Sequence, residues 1–264
     1  MQLAGRTILL TGATGGLGHA MATAFAGRGA RLVLSGRKPE VLDSLAGALP
    51  DATVVAADLT DPASVRALAE AHPDVDVVVA NAAMPGSGAL ESFSEEQIDR
   101  VLDVNLRAPI VLARQYVPRM RERGSGHLVF MSSLSGRAPV AGGALYAATK
   151  FGLRGFGASL RADLRDTGVG VSIISPGFVH EAGMFAESGA ELPPGFRTVS
   201  PERVAEATIT AIERNRGEIT VAPIELRLGT TLAAVAPGLA TRVSNMLGGD
   251  RIAERMAEGQ ADKR

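Results

Sequence analysis

Seven short runs of β-branched and leucine residues punctuate the chain: RTILLT, ARLVLS, ATVVAA, VDVVVAN, GHLVFMS, GVSIIS and EITVA. Each is a continuous apolar stretch, the pattern of a strand covered on both faces. Between most of them lie longer segments with apolar residues at helical spacing, among them GGLGHAMATAFAGRG, PEVLDSLAGALP, DPASVRALAEAH and SEEQIDRVLDVNLRAPIVLARQYVPRMRERG. This alternation predicts an α/β fold, a doubly wound parallel sheet with helices on both faces. Helix starts are marked by Thr60 or Asp61 before Pro62, and by Ser94 before Glu95 and Glu96. No linker, repeat or low-complexity stretch interrupts the pattern, so residues 1–264 are expected to form one domain.

Composition narrows the function. With 264 residues, 46% hydrophobic and 21% charged, the chain is long enough for one substantial core and ordinary for a globular protein. A net charge of −1 gives no basic footprint for nucleic acid. The absence of cysteine excludes disulfides and thiolate chemistry and fits a reducing compartment. The start, MQLAGRTILLTGATGG, does not read as a signal peptide, and no apolar run is long enough to span a bilayer. A cytoplasmic location is therefore expected. His19, His72, His127 and His180 are scattered, so no metal site is expected.

The first strand ends in TGATGGLG, Thr11 to Gly18, with a helix directly after it. In open α/β sheets a dinucleotide pyrophosphate meets a helix N-terminus at such a turn. Gly12 would make the tight turn, Gly16 would let phosphates approach the backbone, and Gly18 would let helix pack on strand. Because Gly15 and Gly16 are adjacent, the run fits both TGxxxGxG and TGxxGxxG. The second strand ends in LSGRK, offering Ser35, Gly36 and Arg37 where an acidic residue would bind a free ribose 2′-hydroxyl. A guanidinium there grips a 2′-phosphate, which favours NADP, with NAD as the alternative. Asp58, in DLTD, could accept from an adenine amino group, or serve as a turn or cap residue. NAAM, Asn81 to Met84, places small residues at a strand end where a cofactor can lie close, and Asn81 could equally satisfy buried backbone groups.

LYAATKFG places Tyr146 and Lys150 four residues apart, on one face of a predicted helix. An ammonium beside a phenol favours the phenolate, which predicts a lowered Tyr146 pKa and proton exchange near neutrality. GHLVFMSSLSG ends a strand in serines, with Ser133 thirteen residues before Tyr146, and DVNLRAP holds Asn105 in a helical stretch. SPGFV follows a later strand with Pro176 and Gly177.

Together these motifs, in this order from about residue 5 to residue 215, resemble the short-chain dehydrogenase/reductase family in its compact, single-domain Rossmann form. The resemblance implies a catalytic set of Asn105, Ser133, Tyr146 and Lys150. Cofactor contacts would come from Gly12, Thr14, Gly15, Gly16, Leu17 and Gly18, from Arg37, Asp58, Leu59, Asn81 and Ala82, from Tyr146 and Lys150, and from Pro176, Gly177 and Val179. It implies hydride transfer between a nicotinamide cofactor and an alcohol or ketone, with Tyr146 as acid or base and Lys150 as its tuner and ribose ligand. Ser133 would bond the carbonyl oxygen, and Asn105 would position a relay water. The family's glycine pattern selects Gly12, Gly16 and Gly18. Its dimer-forming helices resemble the segments after Asn105 and around Tyr146, implying a homodimer or homotetramer.

Two positions depart from the family. Met84 replaces the glycine of NNAG or NAAG, and Glu181 stands where PGxVxT has its threonine. A carboxylate there would repel phosphates. Residues 178–198, rich in Gly, Pro and acidic residues, read as a substrate lid, and 222–264 as a C-terminal helical extension. The apolar stretch Leu226–Leu247 is assigned to core packing, then to a subunit contact; without a basic face it is not expected to bind membrane. The rival readings are a catalytically silent NAD(P)-binding regulator, an epimerase or dehydratase, and a membrane-associated structural protein.

Overall fold

The computed structural model describes residues 1–190, 192, 196–236, 238 and 255–260. The seven apolar runs form β1 (Thr7–Thr11), β2 (Arg31–Gly36), β3 (Ala52–Ala56), β4 (Val77–Ala80), β5 (Gly126–Met131), β6 (Val169–Pro176) and β7 (Glu218–Val221). They make one parallel sheet in the order β3-β2-β1-β4-β5-β6-β7. Ile8 pairs with Leu32 on one side and Val77 on the other. The winding reverses at β1, and a crevice opens beyond the carboxyl ends of β1 and β4.

Both faces of the sheet are covered, as the unbroken apolar runs require. Leu9, Val78, Leu128 and Phe130 face one core with helices α3 (Pro62–Ala71), α4 (Glu95–Leu102), α5 (Ala108–Glu122) and α6 (Ala144–Asp163). Ile8, Leu10, Val77, Val79 and Val129 face the other, under α1 (Gly16–Ala26), α2 (Pro39–Gly47) and α8 (Pro201–Glu213). The period of two along each strand thus survives inside a uniformly apolar run.

Asp61, not Thr60, caps α3, its carboxylate accepting from the N–H groups of Ala63 at 2.8 Å and Ser64 at 3.2 Å. Ser94 caps α4 in a reciprocal box with Gln97. The long helical segment after Ser94 is not uniform. Between α4 and α5 it widens into a π-helical turn, Asp103–Arg107. Pro109 has no N–H, so the carbonyl of Asn105 lacks its α-helical partner.

The segment expected to form a lid holds a short helix, α7 (Gly183–Glu187), and a parallel bridge joins Val179 to Val199. Its residues 191 and 193–195 lie outside the described set. The extension begins with α9 (Ile224–Val235), and residues 255–259 are helical; positions 237 and 239–247 of the apolar stretch lie outside the described residues. No helix among the described residues is long and apolar enough to cross a membrane.

Candidate active site

The turn after β1 is built by contact distances. Gly12 has φ +67°, and a Cβ there would lie 2.7 Å from the Cα of Ala82. A Cβ on Gly18 would be driven into the Gly12 carbonyl oxygen, and one on Gly16 would lie 2.6 Å from the Cβ of Ala182. Gly15 is different: its φ is −83°, and its nearest neighbour would be 3.6 Å away. Geometry therefore resolves the spacing ambiguity in favour of Gly12, Gly16 and Gly18. Asn81 ties this turn to β4. Its Nδ2 donates to the carbonyls of Thr11 at 3.1 Å and Gly12 at 3.2 Å, and the Thr11 hydroxyl accepts from the N–H groups of Asn81 and Ala82.

Thr14, Gly15, Leu17, Arg37, Asp58, Leu59, Ala82 and Val179 line the same cleft, of about 1510 Å³. Arg37 is exposed and has no hydrogen bond or ion pair among the described residues. It is free to meet an anion. Asp58 spends one carboxylate oxygen on its own turn, accepting from the N–H and hydroxyl of Thr60, both at 2.9 Å.

The chemical groups converge further along. Tyr146 and Lys150 share a face of α6, with Nζ 5.4 Å from the phenol ring centroid. The Ser133 side chain lies close enough to the Tyr146 hydroxyl to favour its phenolate. Ser133 Oγ also accepts from the Ser135 N–H at 3.1 Å, which holds it at the end of β5. Lys150 is buried, and its Nζ donates to the carbonyl of Met131 at 2.9 Å. Two of its three protons remain for other acceptors. Burial pulls the ammonium down to about 8.

The expected lowering of Tyr146 is corrected here. Burial pushes the phenol up to about 12, outweighing the Ser133 side chain that works against it. A phenolate in this enclosed position loses more hydration than its neighbours restore. At neutral pH Tyr146 therefore stands as a protonated acid, suited to donating to a developing alkoxide.

Asn105 is fully buried behind the cleft wall and does not line it. Its side chain is spent on Met84: Oδ1 accepts from the Met84 N–H at 2.7 Å, and Nδ2 donates to the Met84 carbonyl at 2.9 Å. Any relay through Asn105 must therefore use its backbone carbonyl, the one whose α-helical partner Pro109 removes.

Residues 6–193 match the family model described as short chain dehydrogenase. The chain belongs to that family. A ketoacyl reductase, HetN, of Nostoc sp. is 31% identical over 227 residues, covering 83% of this chain and 79% of the relative. Among solved structures, a short-chain dehydrogenase from Sphingobium yanoikuyae in complex with NADPH superposes with a TM-score of 0.78 at 28% identity, covering 89% of this chain and 94% of its own. A metagenomic short-chain oxidoreductase in complex with NADP gives a TM-score of 0.70 at 31% identity, covering 84% and 99%.

Both departures from the family pattern are absorbed by this short-chain dehydrogenase. Met84 does not adopt a left-handed φ, so glycine is not required, and its side chain is buried in the core under β4. Glu181 takes a left-handed φ of +63°. Its side chain is 77% exposed, with its carboxylate 4.0 Å from His180 Nε2. Glu181 does not line the cleft; Ala182 does, and it is Ala182 that meets Gly16. The feared repulsion of phosphates is turned outward by one strained residue.

Sequence reasoning missed Ala182, Phe185, Met256 and Gln260, all lining the cleft. A small residue after Glu181 was the available signal for Ala182. Nothing in the local sequence marks the other three.

Proposed function

We propose that this short-chain dehydrogenase interconverts a ketone and its secondary alcohol, using NADPH in the reducing direction. The observation that carries the reading is the meeting of Tyr146, Ser133 and Lys150 in one cleft with the glycine turn and the unpaired Arg37. The glycine turn fits a dinucleotide: Gly12 and Gly18 are sterically obligatory, and the α1 N-terminus carries no acidic residue in its first turn. Gly12, Gly16 and Gly18 would cradle the pyrophosphate, Arg37 the 2′-phosphate, and Lys150 the nicotinamide ribose. When bound, the cofactor supplies or accepts the hydride.

The protein manages the proton. Ser133 and Tyr146 hydroxyls both point hydrogen-bonding capacity at one substrate oxygen, where charge develops. Tyr146 gives up its proton as the alkoxide forms. Lys150, as a cation, stabilises the phenolate left behind. The Asn105 carbonyl would hold the water through which that proton is replaced. NADPH and NADP in the related structures support the cofactor choice, with NAD as the alternative. Met84, Val140, Phe185, Leu226, Leu232 and Met256 support an apolar substrate. An intact donor set argues against a silent regulator.

One domain over 1–264, a lid at 178–198 and a cytoplasmic site of action complete the reading. Assembly as a homodimer or homotetramer would use α5 and α6, where Phe151 is 40% exposed. Fluorescence titration with NADPH and NADH tests the cofactor assignment. NADPH preference, weakened in Arg37→Ala, supports it; NADH preference sinks the Arg37 argument but keeps the dehydrogenase. Failure to bind either nucleotide sinks the reading.

A further inference from the structure

Gln260 holds an unmet hydrogen-bonding valence in the cleft wall. Its Nε2 donates to the carbonyl of Met184 in α7 at 3.0 Å. Beside it, a Cβ on Gly259 would lie 2.7 Å from the Cα of Ser188, so this segment sits directly on the lid. A backbone carbonyl can only accept, so the amide nitrogen must face Met184. That fixes Oε1 at the other end of the group. Gln260 is 2% exposed, and Oε1 has no hydrogen-bond partner among the described residues. Ser175 Oγ, the other such side-chain atom among the described residues, is not part of the cleft lining.

A buried acceptor without a donor carries the desolvation cost of a bond not made. The same cleft is lined by the apolar side chains of Met184, Phe185, Leu232 and Met256. Such surroundings strengthen whatever hydrogen bond is finally formed. The substrate carbonyl itself is claimed by Tyr146 and Ser133. A donor for Oε1 would then come from elsewhere on the same molecule.

We propose that Gln260 is a specificity-determining residue, its Oε1 receiving a hydroxyl or amide N–H carried by an otherwise apolar ketone. The proposal rests on the ketone-reductase reading and names its substrate class more closely. Apolar ketones lacking the donor leave Oε1 unpaired and bind less well. Those bearing a carboxylate instead meet an oxygen with an oxygen.

The test uses NADPH-loaded full-length protein carrying Tyr146→Phe, so that binding is read without turnover. The ligands are methyl ketones of increasing chain length, each with and without a terminal hydroxyl. At one chain length the hydroxylated member is expected to bind about tenfold or more tightly. Gln260→Leu brings that ratio close to one. Reading the ratio within each variant cancels any general loosening of the lid. A ratio near one at every length, no binding of either member, or a ratio that survives Gln260→Leu overturns the proposal. NADPH oxidation by the unmodified chain is measured separately. Discrimination without turnover loses the reductase reading and keeps Gln260; turnover without discrimination does the reverse.

Discussion

Gly15 and Gly16 are neighbours with opposite tolerance for a side chain, and two alanine substitutions separate them. At Gly16, a Cβ would begin 2.6 Å from the Ala182 Cβ and 3.2 Å from its Cα, so the lid must retreat until ordinary contact at 3.4 Å is restored. Forcing a methyl into such a contact costs about 1–3 kcal/mol. That retreat moves the wall that faces the pyrophosphate, so we expect Gly16→Ala to weaken NADPH binding by about fivefold to a hundredfold. At Gly15 the backbone is extended, φ −83° and ψ 156°, and the nearest atom is 3.6 Å away. Alanine is compatible there and restricts the unfolded chain, which stabilises by about 0.4–1 kcal/mol. For a domain of this size that is a rise of about 1–4 °C in Tm. Fluorescence titration with NADPH and a thermal melt measure both. If Gly15→Ala weakens NADPH as much as Gly16→Ala does, the steric assignment of the turn is wrong.

Tyr146→Phe should cut ketone reduction by about a hundredfold or more while leaving NADPH affinity within a small factor, since the proton donor is lost and the cleft keeps its shape; steady-state kinetics beside a titration checks this. Lys150 is held near 8, below the ordinary 10.5, so it is a cation below pH 8 and loses that charge above it. Turnover should therefore fall as pH rises through about 8, and a profile flat to pH 10 refutes the role given to its charge. Burial pulls His127 down to about 3, against an ordinary 6.5, and its Nε2 lies 2.8 Å from Ser172 Oγ. The unfolded chain takes up the proton first, so stability is whole above pH 6.5 and falls as pH drops toward 3. The loss from this residue is about 2 kcal/mol at pH 5, and urea melts at pH 7 and pH 5 should lose that difference in His127→Gln.

The sheet was legible because its strands are buried on both faces, and burial on both faces leaves an unbroken apolar run such as VDVVVAN or GHLVFMS. Helix starts were legible where a side chain does the capping itself, as Ser94 does, although its box closes on Gln97 rather than on the adjacent glutamates. Proton management was less so. Spacing put Lys150 beside Tyr146, but the sign of the tyrosine's shift depends on enclosure, which is a property of the folded cleft. Asn105 teaches the same point: its position in the motif was readable, while its commitment to the Met84 backbone was not.

The part of the cleft nearest the lid was illegible for a further reason. Its lining comes from segments far apart in sequence, with Phe185 on α7, Leu232 on α9 and Met256 and Gln260 beyond them. No helical or strand period links such residues, because they share a wall without sharing an element. In the proposed function the glycine turn and the Tyr-Lys pair would serve a cofactor and a proton whose geometry is fixed, so short rigid spacings encode them. The lid end would serve a substrate, and its shape is set by how α7 is held between Ala182, packed against the glycine turn, and Gln260 on the C-terminal segment. Cofactor side and substrate side thus meet on one short helix. A change at either anchor, Ala182 or Gln260, should be felt at the other through α7, whereas a change at Arg37, at the far strand end, should not.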